Sequence, residues 1–237
     1  MAKTVGIDLG TTFIRVAEGN QIVLQEPTVA AIVVEEQKMV AWGQEAQDML
    51  GKVPESLEVT RPLINGVIAD YEVTEAMLTF LLRKLAGPLR FFGPHVMITV
   101  PYGVTSVESR AVHEAALQAG SREAYLVQQP LAAALGVDLP IGTPSGNMLI
   151  CLGGGATQAA VMAMYGIVAA ETLRKGGGAL DDAIISYVRK KYGLIIGQLT
   201  AEQVKIRIGA AVPQEEEQPI EIQGQDQVSG LPRPASL

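Results

Sequence analysis

Apolar residues from Thr4 to Leu9 read as a short buried strand, followed by a Gly10-Thr11-Thr12 turn and a second strand through Phe13-Ile14-Arg15-Val16-Ala17. After a Gly19-Asn20 turn, Ile22–Leu24 and Val29–Val34 are apolar and β-branched enough to continue this sheet as a meander, with Glu26-Pro27 between them. The period then changes. Apolar positions 73, 77, 78, 81, 82 and 85 fall on one helical face, and Gly87-Pro88 ends it. Val96–Val100 is a strand up to Pro101, and Thr105-x-x-Glu108 is a capping box that opens a helix to about Ala119, stopped by Gly120. Gln129-Pro130 starts a short alanine-rich helix, with proline fitting its first turn. Alternating strands and helices predict an α/β fold.

The opening pattern then returns. Met148–Leu152 is a strand, Gly153-Gly154-Gly155 a turn, Thr157–Met164 a strand, Tyr165-Gly166 a turn and Ile167–Leu173 a strand. Ile7-Asp8-Leu9-Gly10 aligns with Ile150-Cys151-Leu152-Gly153 at an offset of 143, so the chain reads as internally duplicated. Helices follow from Leu180 to Tyr192 and from Thr200 to Ala211, the second opened by Thr200-x-x-Gln203. Past Pro213 the pattern fades: Ile220–Gln223 is a candidate strand, and Pro232–Pro234 reads as an end rather than an element.

Duplicated glycine turns face each other across the cleft between two halves, and a polyphosphate fits between them. Tight turns expose consecutive backbone N–H groups, glycine permits close approach, and the Thr11, Thr12 and Thr157 hydroxyls add donors. The competing reading of either turn alone is a plain hairpin corner.

Composition narrows the function classes. With 48% apolar and 18% charged residues the chain is a folded core, and 237 residues allow one large domain or two small ones. The net charge of −7 argues against a nucleic-acid partner, which calls for clustered cations. A lone cysteine, Cys151, excludes a disulfide framework, and His95 and His113 have no metal-ligand spacing; both fit structural roles in a reducing cytoplasm. The N-terminus shows no signal-peptide pattern, and no apolar run reaches the roughly 18 residues of a spanning helix. A mean hydropathy of +0.25 nonetheless predicts apolar surface facing a membrane or another subunit. Trp42 and the methionines are expected in the core.

The stretches Ile7–Thr12, Arg61–Tyr71, Val100–Glu108 and Gly153–Thr157 resemble the actin/heat-shock-chaperone/sugar-kinase ATPase superfamily and, within it, the MreB family of bacterial actin-like cell-shape proteins. The resemblance covers nearly the whole chain. It implies an actin-like ATPase fold with two duplicated lobes, 1–144 and 145–237, around a nucleotide cleft, the second lobe incomplete because relatives continue beyond Leu237. It also implies ATP or ADP with Mg²⁺, self-assembly into filaments at the inner face of the cytoplasmic membrane, and cell-wall elongation proteins as partners. Carried over by position, Asp8 sits near the nucleotide-bound Mg²⁺ through water, Gly10, Thr11 and Thr12 form the first phosphate loop, and Gly153, Gly154, Gly155 and Thr157 the second. Gly177, Glu202 and Lys205 hold the nucleoside end; from spacing alone Glu202 and Lys205 are a solvated helix pair. Leu89, Phe91 and Phe92 match the membrane-inserting loop, the alternative being a loop whose aromatics fold back onto the core.

Departures from that pattern bear on chemistry. Cys151 stands where the family has a second magnesium-linked Asp, and a thiol binds this hard cation poorly. Gln129 stands where the pattern has a water-activating Glu; an amide orients water but takes no proton. Gly178 ends a triple-glycine run where relatives carry an acid. The expectation is a filament subunit with weak or degenerate ATP hydrolysis at the Asp8–Gln129 pair. The competing expectations are a sugar-kinase-like phosphotransferase and a non-catalytic scaffold that co-assembles with a full-length paralogue.

Overall fold

The computed structural model describes residues 3–86, 93–213 and 219–237. Leu89, Phe91 and Phe92 therefore lie outside the described residues. Two compact units divide the chain, Met1–Lys175 and Gly176–Leu237.

The first unit opens as expected, with β1 (Thr4–Leu9), β2 (Phe13–Glu18) and β3 (Gln21–Pro27) in an antiparallel meander. The next strand, β4 (Ala30–Val33), does not continue that sheet. It pairs on both sides within a separate one, with β5 (Lys38–Trp42) and, after α1 (Gln44–Asp48), with β6 (Leu57–Thr60). The reason is local: Thr28 Oγ1 donates to the Gly10 carbonyl at 2.7 Å and the Thr28 N–H to the Thr12 carbonyl at 2.9 Å, so the chain after Pro27 is pinned under the first turn and leaves the sheet there. A short hairpin, β7 (Leu63–Ile64) with β8 (Val67–Ile68), precedes α2 (Tyr71–Ala86). Asp70 caps that helix through the Val73 N–H at 3.1 Å, which moves its start two residues ahead of the apolar stripe.

Strand β9 (His95–Val100) lies parallel to β1, and after α3 (Ser106–Gln118) strand β10 (Glu123–Gln128) lies parallel to β9, giving the sheet order β10-β9-β1-β2-β3. The capping box at Thr105 and Glu108 is formed as read, and Arg174 adds a paired contact to the Glu108 carboxylate at 2.8 and 3.1 Å. That fork and the Thr105 N–H hold the Glu108 carboxyl at about 2. Helices α2 and α3 cover one face of the sheet, where Val5, Ile7, Ile14, Val16, Ile98 and Leu81 are buried. Because a strand turns alternate residues to opposite faces, burying Ile7 and Leu9 sends Asp8 to the other face, beside Thr99 of β9 and opposite Arg15 of β2.

After α4 (Gln129–Gly136), strands β11 (Asn147–Leu152), β12 (Thr157–Ala163) and β13 (Gly166–Leu173) repeat the meander. Ala160 and Met162 pack with Ala134 and Ile141, whereas Met148, Ile150 and Leu152 on β11 are exposed. Trp42 packs against the main core and His95 bonds Glu123 at 2.9 Å, both as expected. The methionines divide: Met77 and Met162 are buried, but Met97, Met148 and Met164 are not.

The second unit holds α5 (Gly177–Tyr192), β14 (Leu194–Ile195), α6 (Gln198–Ile208), β15 (Glu221–Asp226) and β16 (Pro232–Ser236) around Val188, Leu194, Ala201 and Val204. Two expectations fail here. Helix α6 begins after an extended Gly197, so Thr200 lies inside its first turn and caps nothing, and Gly209 ends it before Ala211. Pro232–Pro234 is part of a strand, since Asp226 Oδ1 accepts the Val228 and Ser229 N–H groups at 3.0 Å and folds the chain into a hairpin. Proline is tolerated because β16 is an edge.

Candidate functional site

The parallel strands β1, β9 and β10 end together, and open α/β sheets bind ligands beyond such carboxyl ends. Here those ends supply Asp8, Thr99 and Gln129. Thr99 Oγ1 donates to Asp8 Oδ1 at 2.8 Å, and Gln129 Nε2 approaches the same oxygen at 3.3 Å. Arg15 Nη1 lies 3.5 Å from Asp8 Oδ2.

Over this floor the two glycine turns meet. They share a steric signature: a Cβ on Gly10 would stand 2.7 Å from the Phe13 carbonyl oxygen, and one on Gly153 would stand 2.8 Å from that of Ala156. The turns also touch across the cleft, since a Cβ on Gly154 would land on the Thr12 hydroxyl and one on Gly155 on that of Thr11. Only glycine fits there. Thr11 Oγ1 accepts the Gly66 N–H at 2.9 Å, which leaves its own proton for a ligand. The cleft between the turns holds about 150 Å³ and is open to solvent.

The structure thus brings together Asp8, Gly10, Thr11, Thr12, Gln129, Gly153, Gly154 and Gly155. Thr157 sits outside this lining, with its hydroxyl donated to the Lys175 carbonyl at 2.9 Å. Gly177, Glu202 and Lys205 belong to the second unit. There Lys205 Nζ donates to Asp181 at 2.9 Å and to the Gly177 carbonyl at 3.2 Å, so it is engaged with α5. Asp181 is largely buried, so the charge of Lys205 is paired inside the second unit.

Behind Gln129 stands a residue the sequence reading passed over. Gln158, fully buried, donates through Nε2 to Gln129 Oε1 at 2.5 Å and accepts the Tyr102 N–H at 2.7 Å. The Gln129 amide is therefore oriented at both ends, nitrogen to Asp8 and oxygen to Gln158. Cys151, the duplicate of Asp8, is the cross-strand partner of Gln158. Burial pushes its thiol up, and the Asp8 charge adds to this, so it stays protonated at neutral pH.

These donors fit a protein-ligated magnesium poorly. Asp8 is the one carboxylate among the described lining residues, and a guanidinium and an amide N–H already face it. Among the described residues there is no cluster of three or more His, Cys, Asp or Glu that could hold an ion. What the set accepts is an ion brought in by a ligand and reached through water.

The model of the MreB/Mbl protein family matches residues 2–237. The cell shape-determining protein MreB of Pasteurella multocida is 45% identical over 245 residues, which cover all of this chain and 70% of that protein. The chain belongs to the MreB/Mbl family. Crystal structures of MreB5 of Spiroplasma citri bound to AMPPNP and to ADP superpose with TM-scores of 0.91 and 0.92 at 32% identity, covering 100% of this chain and 72% and 71% of those chains. The fold is accordingly the actin-like α/β fold of MreB. Two lining or supporting residues of the cleft, Arg15 and Gln158, have a signal in the sequence all the same: each lies seven positions after the strand residue at 8 or 151, where a hairpin of this length returns opposite it.

Proposed function

We propose that this chain is an MreB-type filament subunit that binds ATP and ADP between its two glycine turns and hydrolyses ATP slowly. One observation carries the reading: two turns of the same construction, from duplicated halves, meet over a single carboxylate with glycine where any side chain would collide. Such a pair offers converging backbone N–H groups and hydroxyls to a polyphosphate without needing a cluster of cations. The nucleotide-bound relatives at 32% identity support it.

On this reading Gly177, Glu202 and Lys205 serve the nucleoside, and magnesium travels with the nucleotide and meets Asp8 through water. Hydrolysis is slow because nothing at the attacking-water position accepts a proton: Gln129 is an amide, and its oxygen already accepts from Gln158. Asp8 is the only carboxylate in the described lining, so transfer to an acceptor hydroxyl lacks a second acid to serve as base. Attachment to the inner face of the cytoplasmic membrane is assigned to Leu89, Phe91 and Phe92, with cell-wall elongation proteins as further partners. No helix among the described residues is long and apolar enough to cross a membrane.

Calorimetric titration tests the nucleotide claim. ATP and ADP are expected to bind with one site per chain; silence with both removes the proposal. Co-sedimentation with anionic lipid vesicles tests the membrane claim, and loss of pelleting in a Phe91→Ser/Phe92→Ser variant is the expected result.

A further inference from the structure

Arg15 is the one cation among the described residues that line the cleft. It enters from β2 as the cross-strand partner of Asp8, on the face of the sheet turned away from the core. Its guanidinium is held in place by Gln25, which accepts from Nε at 2.9 Å, and by the Phe13 ring, whose centroid is 5.4 Å away. Of its five N–H donors, one serves Gln25 and one makes the long 3.5 Å approach to Asp8. The remainder of the fork has no partner among the described residues. A planar, prepositioned guanidinium with spare donors beside two glycine turns matches a phosphate oxygen pair.

The duplicate of Arg15 sharpens its role. At position 158 the second hairpin has a neutral glutamine, buried and turned to Gln129 and Tyr102, and at position 151 it has a thiol rather than a carboxylate. The second hairpin therefore adds neither a cation nor an anion. Among the described residues that line the cleft, Asp8 and Arg15 carry the only formal charges, and they cancel. A polyphosphate entering a neutral cleft meets no net repulsion for a divalent ion to offset, and it finds a fixed cation in the wall.

We infer that Arg15 is the cationic phosphate ligand of this cleft and that it makes nucleotide binding largely independent of magnesium. This rests on the nucleotide reading above. Metal-free binding is the readout: ATP is titrated calorimetrically into the full chain in excess EDTA and, separately, with Mg²⁺. The wild-type dissociation constants in the two buffers are expected to agree within about threefold. Arg15→Leu is expected to lose about tenfold or more in EDTA and clearly less with Mg²⁺, so the variant acquires the metal dependence that the wild type lacks, in line with the loss of a charge-assisted contact. Arg15→Lys keeps the charge but not the fork and should fall between the two. Both variants should melt within a few degrees of wild type, because the side chain is 41% exposed.

Metal-free affinity of Arg15→Leu within twofold of wild type overturns the inference, as does a wild type that binds only with Mg²⁺. Absence of wild-type binding in both buffers removes the nucleotide reading together with it, so the two failures are told apart in one series.

Discussion

In the first glycine hairpin Asp8 stands opposite Arg15; in the second, Cys151 stands opposite Gln158. Both hairpins keep the same turn, with a glycine at 10 or 153 packed against the carbonyl three residues on. Strands β1, β2 and β12 bury alternate residues, whereas β11 alternates half-buried and exposed ones. What differs is charge. The backbone plan is held by sterics that tolerate glycine alone and is the same in both hairpins, whereas the cross-strand pair at the matching positions is ionic in one and neutral in the other. The first hairpin places a carboxylate and a guanidinium at the cleft, and the second orients Gln129 from behind.

The largest effect should come from breaking the shared part. Gly154→Ala places a methyl group against Thr12, a β-branched residue with little freedom to move, at a cost of about 1–3 kcal/mol of overpacking. ATP affinity should drop by about 10–100-fold in calorimetry. Gly136→Ala, where an added Cβ meets nothing within 4 Å, is the matched control and should leave binding unchanged. Equal affinities for the two variants would separate the turns from the ligand.

Next in size is the neutral half. Gln158→Ala removes a buried side chain and leaves the half-buried Tyr102 N–H and Gln129 side-chain oxygen without their partner, worth about 1 kcal/mol of stability by urea denaturation. Restoring charge there sharpens the comparison further. Cys151→Asp adds a carboxylate near Asp8 and should make ATP affinity depend on Mg²⁺ by about tenfold, in calorimetry with and without EDTA, since hard oxygen donors favour this ion.

The smallest effect lies outside both hairpins. Glu108, held at about 2 by the Arg174 fork and the Thr105 N–H, has a folded value below its ordinary 4.5. Its contribution is therefore complete above about pH 4.5 and disappears as the pH falls toward 2. Because Arg174 is 44% exposed, the expected stability loss in Glu108→Gln is only about 1 kcal/mol at pH 7, and the gap between the two urea midpoints should narrow at pH 3.

Much of this was legible in the residues. The hairpins announce themselves through alternation punctuated by glycine, and Thr105-x-x-Glu108 and the helix stop at Gly120 work through local chemistry that needs no distant partner. Departure of β4 from the first sheet was not legible, because its partner β6 lies beyond the β5 strand and α1 and carries no strong alternation. The same contrast runs through the site. Asp8 and the glycine turns stand out by type and spacing. Arg15 looks like any polar residue on a strand until register sets it opposite Asp8, and Thr99 arrives from a strand 91 positions away. Lys205 was visible as a cation on a helix, but its tie to Asp181 depends on how α5 and α6 pack.

Backbone amide hydrogen exchange, with and without saturating ATP, addresses both turns at once. Slowed exchange at residues 10–12 and 153–155 together, at the same nucleotide concentration, is the predicted result. Slowing at one segment while the other stays unchanged, or at neither, would contradict a shared polyphosphate site.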